Sequence, residues 1–142
     1  MQHEDEPRAG ADGAPVTIVL PLLPGQSEPW RRFLQELQAS QRSAFDLACR
    51  RWGIRSLTLR LASGRAGDLV VVQVVLATDL ADAEERFARS RQPFDRLIAE
   101  RARALHGVDL RHGVARYCTE LLAVWPEQEP PAAGGLPMTT AG

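Results

Sequence analysis

Apolar positions along this chain recur with two periods, that of a strand and that of a helix, and the changeovers fall at Gly and Pro. Val16, Thr17, Ile18, Val19 and Leu20 form a β-rich run stopped by Pro21, Pro24 and Gly25, which predicts a first strand over Val16–Leu23. Ser27 is placed to cap a helix, with Glu28 and Pro29 in its first turn. Trp30, Phe33, Leu34, Leu37, Ala44, Ala48 and Trp52 follow at helical spacing, and Gly53 ends the segment as a C-cap. This predicts one amphipathic helix between strands one and two.

Ile54–Ala62 alternates, with Leu57, Leu59 and Leu61 against Ser56, Thr58 and Arg60. Ser63–Asp68 reads as a hairpin loop, and Leu69–Ala77 as a central strand, apolar on both faces except at Gln73. Asp79 can cap the next helix, which Asp82 with Arg86 and Glu85 with Arg89 support at i,i+4. Pro93 interrupts it, and a second segment carries Phe94, Leu97, Ile98 and Leu105 before Gly107. Cys118–Trp125 reads as a last strand, closed by Pro126. The order is β-α-β-β-α-β. The expected fold class is therefore α+β and ferredoxin-like, a four-stranded antiparallel sheet with two helices on one face.

Two helices cover only one face of such a sheet. Alternation assigns to the other face Thr17 and Val19, then Ser56, Thr58 and Arg60, then Leu69, Val71, Gln73 and Val75, with Glu120, Leu122 and Val124 on the last strand. That mixture suits a protein interface, a ligand cavity, or both. It predicts a homodimer packed through the open sheet face.

Composition narrows the classes. The chain has 142 residues, 44% hydrophobic and 25% charged, with a formal net charge of −1. These values fit one globular domain and offer no field for nucleic acid or an anionic membrane. No Lys occurs, which excludes Schiff-base and pyridoxal-phosphate chemistry on a Lys amine. The longest apolar run, Leu69–Ala77, is far shorter than the roughly 20 residues of a membrane span. Residues 1–14 and 127–142 are rich in Gly, Pro and acid and read as disordered tails around a folded unit at 15–126. The first tail has neither the basic nor the apolar region of a secretory signal. Cys49 and Cys118 then read as reduced thiols, and the location as cytoplasmic.

Several stretches resemble a known family. They are Leu20-Pro21-Leu22-Leu23-Pro24-Gly25, Trp30-Arg31-Arg32-Phe33, Gly67-Asp68-Leu69-Val70-Val71, Ser90-Arg91-Gln92-Pro93-Phe94-Asp95 and His106-Gly107-Val108-Asp109-Leu110. On these the chain resembles small bacterial proteins of the DUF6176 type, within the dimeric α/β-barrel superfamily. The resemblance implies a dimeric α/β barrel around a small-molecule pocket. It does not choose a reaction, since the superfamily includes cofactor-independent monooxygenases, polyketide cyclases and isomerases, haem-binding enzymes and members without chemistry.

His106 can act as a general base or ligand at the pocket mouth, or simply complement a helix C-terminus. Resemblance to related cyclases implies a Tyr partner, and Tyr117 is the one Tyr. Arg60 and Glu120 could anchor a carboxylate or enolate, or form a cross-strand ion pair. Thr17, Thr58, Gln73 and Trp125 are the expected substrate-binding positions. Asp95 reads as a charge in the first turn of its helix, and Asp109 as fixing the turn after Gly107. No metal is expected, because His106 and His112 lack i,i+4 spacing and the cysteines form no CxxC. No cofactor is expected; haem on His106 is the weaker alternative. RNA binding would need aromatics on the central strands, and strand three has none. Two functions follow: a cofactor-independent cyclase, isomerase or monooxygenase acting on a polyketide-like or aromatic molecule, or a non-catalytic dimer that binds a small molecule or a partner protein.

Overall fold

The alternating runs become strands: β1 (Val16–Pro21), β2 (Ile54–Gly64) and β3 (Gly67–Leu76). In the computed structural model, which describes residues 9–10 and 13–126, they form one antiparallel sheet in the order β1-β3-β2. β3 is central, as a strand apolar on both faces should be. Ile18 pairs with Val72, and Val72 with Leu59. Val16, Ile18, Leu20, Val70, Val74 and the β2 leucines therefore share one face, and this face carries the core.

Four helices supply the other half of that core: α1 (Ser27–Gln38), α2 (Arg42–Trp52), α3 (Leu80–Arg89) and α4 (Pro93–His106). Trp30, Phe33 and Leu37 of α1 pack with Leu22, Val70 and Leu105. Leu80 of α3 and Val108 pack with Val16, Ile18 and Leu76. Asp79 caps α3 by accepting the Asp82 N–H at 2.8 Å. Pro93 opens α4, where a missing N–H costs nothing. Gly53 and Gly107 end α2 and α4 at φ 81° and 70°, a backbone region that penalises a Cβ.

The sequence-based expectation fails at three places. The expected ferredoxin-like βαββαβ fold has four strands; the sheet described here has three. Cys118 makes a single bridge to Ile18, and Thr119 N donates to Thr17 O at 2.9 Å. Continuing that antiparallel register sets Glu120 opposite Val16 and Leu121 opposite Pro15. β1 begins at Val16, and Pro15 has no N–H to offer, so the segment outruns its partner. The four-stranded sheet and the dimeric α/β barrel built on it are corrected to a three-stranded α+β fold with four helices.

The expected single helix after β1 is two. No apolar residue occurs between Leu37 and Ala44 except Ala39, so no side chain holds the turn between them to the core. The chain leaves the helix at Ala39 (φ −122°, ψ −95°) and restarts at Arg42. Ser27 does not cap α1. Its hydroxyl donates instead to Asp68 at the start of β3.

The expected tails fall mainly outside the described residues. Ala9 and Gly10 are described and join the fold: Leu80 N donates to Ala9 O at 2.8 Å, and Gly10 is buried against Leu76 and Val16.

Candidate functional site

The site is built around α4, which carries a buried polar residue near each end. Asp95, 2% exposed, lies in the first turn. Its carboxylate accepts from Arg51 Nε at 3.2 Å and from Trp52 Nε1 at 3.0 Å. Arg51 Nη2 and the Ser90 hydroxyl complete the set. Burial alone would raise the Asp95 pKa. The donors from Arg51, Ser90 and Trp52 outweigh burial and hold the carboxyl below its ordinary range. Every bond Asp95 can accept is used, so it ties α4 to the end of α2 and orients the Trp52 ring.

His106 closes the other end of α4 and is 8% exposed. Its Nδ1 lies 2.8 Å from the Pro21 carbonyl, which can only accept, so Nδ1 carries the proton. Burial lowers the pKa, and the Pro21 bond only partly offsets it, which leaves the ring neutral at pH 7. Nε2 then carries a lone pair.

His106 borders an apolar cavity of about 220 Å³ between the sheet and the helices. Ile18, Leu20 and Val72 form its floor, with Trp30, Phe33 and Phe45 above. Among the described residues His106 is the only titratable one in its lining. A second cavity, about 150 Å³, adjoins it under α3. Trp52, Ile54, Ile98, Leu110 and Val114 border both. Among the described residues the second has one ionisable residue in its lining, Glu84. The sequence reading missed Glu84. The signal was present: it interrupts the apolar stripe Leu80, Ala83, Phe87, and the positions four residues away are Leu80 and Ala88, not Arg.

The other expected site residues lie elsewhere. Thr17, Gln73 and Thr58 form one cross-strand row on the sheet face opposite the helices. Val19, Val71 and Arg60 form the next row. Arg60 is on β2 and Glu120 lies beyond β1. Three strand spacings, about 14 Å, separate them, so the fold does not join them as a pair. Tyr117 packs against the Val16–Ile18–Leu76 cluster, outside the lining of the cavity that His106 borders. Trp125 is 93% exposed. Asp109 fixes its turn as expected, accepting the Arg111 N–H at 3.0 Å.

Burial, reinforced by Asp46, pushes the Cys49 thiol up to about 11, and burial with Glu84 raises Cys118. Neither is a nucleophile near neutrality. Among the described residues no group of three or more His, Cys, Asp or Glu could hold a metal, and no helix is long and apolar enough to cross a membrane. Comparison with family models, curated proteins and solved structures finds no match for this chain.

Proposed function

We propose that this chain binds a small apolar molecule in the space between its sheet and α1, α2 and α4, without acid–base chemistry. The observation that carries this reading is the cavity of about 220 Å³ with His106 as its one titratable group among the described residues. An apolar recess of this kind suits an apolar ligand, which gains by leaving water for it. His106 Nε2 can accept one hydrogen bond from a ligand hydroxyl. The cyclase, isomerase or monooxygenase reading has less support, because Tyr117, Arg60 and Glu120 lie away from the His106 cavity. The DUF6176 resemblance is compatible with either reading.

The test is thermal denaturation with benzene and indole, alongside mass spectrometry of ligands that co-purify. A ligand at one hundred times its Kd should stabilise by about 2.7 kcal/mol. No stabilisation by either probe overturns the reading.

We also propose that a second copy covers the open sheet face. Leu69 there is 41% exposed, and Leu121, Leu122 and Trp125 of the C-terminal segment are exposed too. Exposed apolar side chains on both the sheet and the C-terminal segment are surfaces that a two-fold pair can cover reciprocally. A strict monomer in sedimentation at high concentration would exclude it. The two free cysteines support a reducing, cytoplasmic setting.

A further inference from the structure

The two outer strands of the sheet are finished differently. β1 follows Pro15, ends at Pro21, and meets Cys118 and Thr119 along its outer side. β2 closes the other side of the sheet over Ile54–Gly64. Pro, bulges and charges blunt an outer strand against pairing. Beyond its bulge between Ile54 and Ser56, β2 has none of these except Arg60.

The hydrogen-bond phase shows which backbone groups of β2 face outward. Leu22 N donates to Asp68 O at 3.0 Å, and bonded pairs alternate along an antiparallel ladder. Leu20, Ile18 and Val16 therefore bond β3 as well, and Pro21 falls at an alternate position, where no N–H is needed. On β3, Val70, Val72 and Val74 face β1. Leu69, Val71 and Gln73 then face β2, where they bond Ala62, Arg60 and Thr58. The N–H and C=O groups of Leu57, Leu59 and Leu61 are left pointing away from the sheet. Among the described residues no hydrogen bond from outside the sheet reaches them.

These groups are self-complementary about Leu59, the middle residue of the strand. An antiparallel second copy sets Leu57 opposite Leu61 and Leu59 opposite its own counterpart, with two N–H to O=C bonds at each pair. On the open face Arg60 then meets Thr58, and Ser56 meets Ala62, so no like charges stand opposite each other. We propose that two copies join β2 to β2 about a two-fold axis through Leu59, as one sheet in the order β1-β3-β2-β2-β3-β1. This contact is separate from the open-face pair proposed above. The two axes are perpendicular, so one assembly can hold both.

The test combines sedimentation of the full chain with amide exchange followed by NMR. The Leu57, Leu59 and Leu61 amides should exchange about tenfold more slowly above the association midpoint than below it. The Thr58 and Arg60 amides, bonded within one copy, should change less. Thr58→Arg sets like charges opposite each other on both sides of the axis and should weaken association about tenfold. Thr58→Glu sets opposite charges there and should tighten it about threefold. Thr58 is exposed, so the fold tolerates both. A pair through the open face alone buries Thr58, and either charge would weaken it. Association weakened by both substitutions overturns the β2 contact and leaves the open-face pair standing. Equal exchange at Leu57, Leu59 and Leu61 on both sides of the midpoint has the same consequence. A strict monomer removes both contacts. Should a variant not fold, exchange in the unmodified chain decides.

Discussion

The two ends of α4 bury one polar side chain each, and they are finished differently. Asp95 accepts from Arg51, Trp52 and Ser90, and no capacity is left over. His106 bonds the Pro21 carbonyl through Nδ1 and belongs to the lining of an apolar cavity. A saturated buried group holds structure together. A half-satisfied one lining an apolar cavity is where a ligand adds something.

The largest expected effect is on the saturated end. Asp95→Ala leaves Arg51, Trp52 and Ser90 without their acceptor. We expect a loss of about 3 kcal/mol in urea denaturation, the low end for a broken buried pair, because Arg51 is 32% exposed. A loss under about 1 kcal/mol would show that Asp95 is not what ties α2 to α4. Next comes the cavity. Ala102→Leu, on the lining of the larger cavity, should fill part of it, gain about 1 kcal/mol and abolish the stabilisation by benzene. Retained binding would place the ligand elsewhere.

The two ends should also separate by pH. His106 has a folded pKa below its ordinary 6.5, so the unfolded chain binds its proton first. Its contribution is present above pH 6.5 and declines as pH falls through the folded value. The Asp95 pKa is held below 3.8, so its contribution is lost only at more acid pH. His106→Gln should flatten the upper part of a stability–pH profile and leave the lower part; an unchanged upper part would show that His106 titrates normally. The smallest effect is at the surface. Arg89 and Glu85 are 78% and 62% exposed, and Glu85→Gln should change stability by less than about 0.5 kcal/mol.

Much of the architecture was legible along the chain. The alternation in Ile54–Ala62, the doubly apolar run of β3, the Asp79 cap, Pro93 and the αL glycines 53 and 107 each report a local geometry. The odd–even assignment of the open face also agrees with the register, since Thr17, Gln73 and Thr58 fall in one row. The split between α1 and α2 was less visible, because two short helices and one long helix give nearly the same apolar spacing. The expected fourth strand misled for a related reason. Cys118–Trp125 has strand composition, but composition does not report whether a partner edge extends far enough.

The sequence by itself determined where β1, β2 and β3 run and which face of each is apolar, because both follow from a period of two residues. Only the tertiary structure decided that Asp95 is a long-range clasp, that Glu84 meets the Val114 N–H, and that His106 lines an apolar cavity. Arg51 and Asp95 are 44 residues apart, and Glu84 and Val114 are 30 apart. Those meetings, and the volume left between helices and sheet, depend on how whole elements pack, and no local pattern encodes that.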